Sequence, residues 1–120
     1  MAKKHDVIIV GMGLASLAAA ARLNELGVKD IGIYTTAYGG TPYIAAINFV
    51  LPDNPYGDTI GQYNDDMIHA GYGINNKTLV QDMAASTMEG YKLLRRWGVE
   101  FAKNEDGTTK LRHLSGHTYP

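Results

Sequence analysis

The first sustained pattern along the chain is an unbroken apolar run, Val7-Ile8-Ile9-Val10, directly after Lys4-His5-Asp6. It is β-branched throughout, the pattern of a parallel strand buried on both faces. Gly11-Met12-Gly13 predicts a tight turn, and the alanine-rich stretch Leu14 to Leu26 predicts a helix that Gly27 ends. A second short strand is expected at Ile31-Gly32-Ile33-Tyr34. From Ala37 to Tyr56 the periodicity fades around Gly39-Gly40 and prolines 42, 52 and 55, while Tyr43 to Leu51 stays apolar. Helical spacing returns over Asp58 to Gly71, with Asp58 as the expected N-cap. The longest helix is predicted from about Thr78 to Trp97, capped by Asn75 or Asn76 and closed by Gly98. Its apolar stripe, Leu79, Val80, Met83, Met88, Tyr91, Leu94 and Trp97, reads as core. Val99 to Ala102, a turn at Asn104-Glu105-Asp106-Gly107 and Lys110 to Leu114 then predict a short β-hairpin.

Strand, glycine turn and helix at the start form the first half of a dinucleotide-binding βαβ unit. In such a unit a pyrophosphate lies at the helix N-terminus, where unpaired N–H groups and the helix dipole favour negative charge. The fingerprint G-x-G-x-x-G is met at Gly11 and Gly13, whereas Ser16 stands third. That position serves close packing of helix on strand, which a small serine allows. The competing reading is a doubly wound domain whose turn binds nothing. At the end of the second strand stand Thr35 and Thr36, where this fold usually presents an acid to the ribose. With no acid there, and no arginine for a 2′-phosphate, NADP is disfavoured and the nucleotide stays open. The 37–56 segment reads either as an irregular connection packed on the core or as a cofactor-covering segment.

Composition narrows the field further. A chain of 120 residues is one domain or a fragment of one, and a net charge of −1 gives no reason to expect nucleic acid or an anionic membrane as partner. The absence of cysteine excludes disulfides, thiolate metal sites and thiol redox chemistry from this chain. The first apolar run is too short for a membrane span or signal peptide, so direct membrane insertion is not expected and a cytoplasmic location is the default. Asp65 and Asp66 read as solvated helix surface, and Arg95-Arg96 as a charge pair suited to a helix C-terminus. His113 and His117 carry metal spacing, but Gly116 opposes the helix that would align them, and no metal site is expected.

In this order and spacing the chain resembles the N-terminal FAD-binding part of the succinate dehydrogenase, fumarate reductase and L-aspartate oxidase flavoproteins. DVIIVGMGLASLAAAARL is similar to the family's FAD-binding opening, and IGIYTT to a second strand that ends in serine in aspartate oxidases. GGTPYIAAIN stands where the family has a Ser-rich stretch leading to Ala-Gln-Gly-Gly. DDMIHAGYGINNKTLVQDMAASTMEGYKLLRRWGVEF follows the family's pair of helices and Gly-Val-x-Phe strand, and LSGHTYP resembles its Gly-Gly-His-Ser/Thr segment. The implied fold is α/β: the N-terminal portion of a Rossmann-like, glutathione-reductase-type FAD-binding domain, with an added helical segment and a short β-hairpin.

Carried over by position, the resemblance puts Gly11, Gly13, Leu14, Ala15 and Ser16 at the FAD pyrophosphate and Thr35 and Thr36 at the adenosine ribose. Gly40, Thr41, Ala45, Ala46 and Asn48 would follow the cofactor toward the flavin, and Ser115, Gly116, His117 and Thr118 would be substrate-proximal. Thr41 stands where membrane-bound members carry the histidine that attaches FAD, which implies non-covalent FAD. Leu114 replaces the acid that precedes Gly-Gly-His in aspartate oxidases, which counts against aspartate as substrate. The capping domain and the family's acid–base arginine and histidine have no counterpart in residues 1–120. The expectation is therefore the FAD-binding portion of a fumarate-reductase-like oxidoreductase, inactive alone. It would act on a C=C or CH–CH bond of a small carboxylate and be completed by a second polypeptide. The alternatives are a stand-alone NAD or ADP binding module without redox activity, and part of an FAD-dependent amine or hydroxy-acid oxidase.

Overall fold

The computed structural model describes residues 4–44 and 46–120, so that Ala45 lies outside the described residues. The chain divides into two compact units, residues 1–45 and 46–120.

In the first unit, β1 (Val7–Val10) pairs in parallel with β2 (Ile31–Tyr34), Val7 opposite Ile31 and Val10 opposite Tyr34. Parallel pairing needs a crossover, supplied by α1 (Leu14–Glu25). Gly27 ends the helical stretch at φ 94°, a left-handed conformation that only glycine adopts without a Cβ penalty. His5 fastens the strand entry: its Nδ1 meets Asp30 Oδ1 at 2.7 Å and its Nε2 meets the Tyr34 hydroxyl at 3.2 Å. The ring lies over Gly32, where a Cβ would fall 2.6 Å from it. One expectation fails in this unit. Val7 and Ile9 are half-buried, but Ile8 and Val10 are 58 % and 84 % exposed, so β1 is not covered on both faces. Within the described residues β1 has one neighbouring strand and one packed helix, which leaves alternate side chains in solvent.

In the second unit, α2 (Ile60–Ala70) packs against α3 (Lys77–Arg96). The N-cap of α2 is Thr59, whose hydroxyl accepts the Gln62 N–H; Asp58, the expected cap, instead accepts the Thr59 N–H. Asn76 caps α3 by accepting from Leu79, and Gly98 follows the helix end at φ 88°. Between the helices Tyr72 takes a positive φ of 48°, and Asn75 donates to the Met67 carbonyl at 2.8 Å, closing α2.

Val50, Tyr63 and Ala84 form the core, with Met67 against them. The apolar 43–51 stretch is therefore split: Val50 and Leu51 are buried, while Tyr43 is 85 % exposed. The Val50 N–H donates to Thr87, whose hydroxyl donates in turn to the Ala84 carbonyl, so this irregular segment is anchored to α3 by a satisfied polar pair. The buried face of α3 is Val80, Ala84, Thr87 and Leu94, whereas Leu79 and Met83 from the expected stripe face solvent. Phe49, Tyr91 and Phe101 stack edge-on or tilted with ring centroids 5.1 to 5.9 Å apart. The expected hairpin is reduced to one antiparallel bridge, Lys103 with Thr109, around the predicted turn. Asp106 takes both the N–H and the hydroxyl of Thr108, a side-chain turn at the tip, and the main chain adds bonds from Asn104 to Thr108 and from Lys110 to Ala102. No helix among the described residues is long and apolar enough to cross a membrane.

Candidate functional site

The glycine turn of the first unit is built from β1, α1 and the end of β2. Gly11 sits at φ 99°, and its N–H donates to the Tyr34 carbonyl at 2.8 Å, so β2 sets where the turn begins. Gly13 is the N-cap of α1 in extended conformation, with no side-chain hydrogen bond capping the helix. The first backbone bond back into the helix is Leu17 N–H to the Gly13 carbonyl, which leaves the Leu14, Ala15 and Ser16 amides at an uncapped positive helix end. A Cβ on Gly13 would meet nothing within 4 Å, so the space before these amides is open to a ligand. Ser16 Oγ comes within 3.8 Å of a Cβ built on Gly11, which places the fingerprint's third position beside its first.

Gly39 is the residue that sequence reasoning passed over. Its N–H donates to the Met12 carbonyl at 3.0 Å, and a Cβ there would lie 2.6 Å from Gly13 Cα. The chain leaving β2 thus braces the turn from behind, backbone on backbone. The Gly39-Gly40 pair was the available signal, since close backbone approach is a reason for glycine. Gly40 has open space at its Cα, and Thr41 opens a single 3₁₀ turn, Thr41–Tyr43. Thr35 and Thr36 are exposed at the end of β2. The Thr35 hydroxyl donates to the Ala37 carbonyl at 2.5 Å and accepts the Ala37 N–H at 3.3 Å. A hydroxyl oxygen has two lone pairs, so one remains for a ribose hydroxyl.

The second unit gathers a polar cluster where the sequence suggested unrelated pieces. Asp66 is not solvated helix surface: Oδ2 accepts the Thr118 N–H at 2.6 Å, and Oδ1 accepts the Thr118 hydroxyl and the Gln62 amide at 2.8 Å each. Burial pushes the Asp66 carboxyl up, but the two bonds from Thr118, the bond from Gln62 and the charge of His117 together hold it below the ordinary carboxylate range. Asp58 lies above that range through burial, with the Asp66 charge adding to it and the Thr59 N–H opposing. Ser115 and Gly116 form the turn into this segment, with Gly116 at φ 88° and the His117 N–H on the Leu114 carbonyl. The Asn48 amide nitrogen meets His117 Nε2 at 2.8 Å, and the imidazole lies tilted on Tyr63 with centroids 5.6 Å apart. Ala46 is half-buried nearby in sequence. The structure thus joins Asn48 and His117, which the sequence placed in separate stretches. It also adds Asp66, Gln62 and Tyr63, side chains that only folding brings to them.

An uncapped helix end behind paired glycines, with open space before it, defines a nucleotide-binding α/β unit. The FAD binding domain family matches residues 6–120, and the chain belongs to that family. The chain is 29 % identical to the acrylate reductase flavoprotein subunit of Shewanella woodyi, over 97 % of this chain and 23 % of that protein. It is 31 % identical to the L-aspartate oxidase of Pyrococcus furiosus, over 95 % of this chain and 23 % of the oxidase. In structure it is similar to a chain of the Mycobacterium smegmatis Sdh1 complex in the apo form, with TM-score 0.77 and 24 % identity, covering 97 % of this chain and 20 % of that one. The resemblance to this flavoprotein superfamily stands, and FAD is the cofactor. The chain spans less than a quarter of the length of these relatives. The residues at the turn fit FAD: a Cβ on Gly13 would meet nothing within 4 Å and the start of α1 has no side-chain cap, which gives room and free N–H groups of the kind a pyrophosphate requires.

Proposed function

We propose that this chain is the FAD-binding portion of a fumarate-reductase-like flavoprotein oxidoreductase, completed by another polypeptide and acting on a C=C or CH–CH bond of a small carboxylate. The observation that carries the reading is the family match over residues 6–120 together with the open glycine turn at Gly11 and Gly13. Bound FAD supplies hydride transfer at its isoalloxazine ring. The chain's own residues bind and orient it. The amides of Leu14, Ala15 and Ser16 would take the pyrophosphate and Thr35 and Thr36 the ribose; by the family resemblance Gly40 and Thr41, and separately Ala46 and Asn48, would contact the cofactor further along. Ser115 to Thr118 face the substrate side. Thr41 offers no imidazole for a covalent link, which supports dissociable FAD. Acrylate is an unsaturated carboxylate, and the acrylate reductase flavoprotein subunit among the relatives favours this substrate class. Exposed Ile8 and Val10 on β1 favour a further layer of protein over this face.

A second reading, part of an FAD-dependent amine oxidase, is favoured by the L-aspartate oxidases among the relatives and opposed by Leu114. The test is purification from the native host, followed by an absorption spectrum and intact mass. Flavin colour released by denaturation, with a larger co-purifying chain, is the expected result. A colourless lone chain that binds NAD or ADP would overturn it. Turnover of acrylate against L-aspartate by the assembly separates the two oxidoreductase readings.

A further inference from the structure

The Asp66 carboxylate is held from three directions, yet it belongs to none of the cofactor contacts. Both of its contacts with Thr118, to the N–H and to the hydroxyl, fall on the residue immediately after His117. Gln62, one turn earlier on α2, ties the same two partners by donating to Asp66 at 2.8 Å and to the Thr118 hydroxyl at 3.1 Å. Tyr63, beside Gln62, is buried in the core and provides the face against which the imidazole rests. Helix α2 therefore fixes the backbone after His117 and one face of its ring. The remaining freedom, rotation of the ring and placement of its proton, is settled at Nε2 by the Asn48 amide.

We propose that Asp66 is a positioning residue for His117: by holding Thr118 at both its amide and its hydroxyl, it seats the imidazole against Asn48 and so places the proton of the neutral ring on Nδ1. An amide N–H facing Nε2 requires an unprotonated acceptor there, which leaves Nδ1–H as the ring's donor. Among the described residues Nδ1 has no hydrogen-bond partner, so this donor is available to a ligand acceptor. The inference gives chemical content to the substrate-proximal role of His117; it rests on that reading for its place in catalysis, and on geometry alone for the arrangement.

Asp66→Asn keeps the size of the side chain but turns one acceptor into a donor. Either the Thr118 N–H or the Gln62 amide then faces an N–H₂ group, and the clamp opens. The experiment is ¹⁵N NMR of the flavoprotein assembly labelled at histidine, at about pH 8, above the ordinary imidazole range. In the wild type, His117 is expected to show a protonated Nδ1 and an unprotonated Nε2. Asp66→Asn and Asn48→Ala should both lose that preference toward a mixture of tautomers. Asp65→Asn, altering the neighbouring carboxylate that accepts from Asn64, should keep it. Should Asp66→Asn fail to fold, Thr118→Val, which removes the hydroxyl alone, should weaken the preference and Thr118→Ser restore it. A wild-type His117 with its proton on Nε2, or a folded Asp66→Asn protein with the wild-type ring pattern, would overturn the proposal. A preparation without flavin would instead sink the functional reading, and the ring signals would still report on the clamp.

Discussion

Gly13 and Gly39 touch across one turn and need to be glycine for opposite reasons. A methyl on Gly13 projects into empty space, so its cost to the fold is that of a poorer N-cap, about 0.5–1 kcal/mol, whereas a pyrophosphate bound at the turn would meet it. Gly13→Ala should lower thermal unfolding of the cofactor-free protein only slightly and weaken FAD roughly tenfold or more, about 1.4 kcal/mol per decade, measured by fluorescence titration. A methyl on Gly39 would run into Gly13 Cα and the Met12 carbonyl, backbone atoms that cannot rotate away. Gly39→Ala should therefore cost about 1–3 kcal/mol of stability as overpacking, and FAD affinity with it. Asp66 sets the acid limit of the clamp. Its folded carboxyl titrates below the ordinary value of about 3.9, so the clamp's stability is complete above that value and is lost as pH falls through the lower, folded one. The Thr118 amide signal in an acid titration should follow this course, and Asp66→Asn should abolish the dependence.

Among the elements, α3 shows how little of its own sequence decides its inner face. The stripe of large apolar residues and the buried face coincide at Val80 and Leu94, but Ala84 and Thr87 take the central positions. Small side chains there let Val50 and Tyr63 approach, and the Thr87 hydroxyl is useful because it meets the Val50 N–H. Helix starts obey local chemistry more closely. Asn76 accepts the Leu79 N–H at 3.2 Å, and Asn76→Ala should lower stability by about 1 kcal/mol in denaturant unfolding. Asn75→Ala should act through a different helix end, loosening α2 where Asn75 holds the Met67 carbonyl. The turn obeys the same local chemistry: Asp106 accepts both the N–H and the hydroxyl of Thr108, and around it pairing is limited to the Lys103–Thr109 bridge with flanking bonds from Asn104 to Thr108 and from Lys110 to Ala102.

At the scale of the whole molecule the burden falls on apolar positions that the chain does not cover. Val10 is 84 % exposed, Ile74 93 % and Tyr43 85 %, alongside Ile8 at 58 %. Such surface favours association, and the chain expressed alone should bind a hydrophobic dye and self-associate in size-exclusion chromatography. Any protein segment that covers this surface should remove both effects. Val10→Asp should lower self-association in the same assay, because a charge would have to be buried on association.

Strand, turn and helix boundaries around the glycine fingerprint, and the start of α3, were legible in the residues, because each depends on local backbone preference: the β-branched run, glycines at positive φ, asparagine at the α3 N-cap. The family and its cofactor were legible too, through the order of several weak motifs and not through any one of them. Side-chain partnerships were not. That Asp66 holds Thr118, that Asn48 meets His117 and that Gly39 lies on Gly13 depend on segments 26 to 69 residues apart meeting at bonding distance. No periodicity encodes such meetings. A carboxylate on a helix reads as solvated until another part of the chain supplies its donors, and only the tertiary structure brought them there.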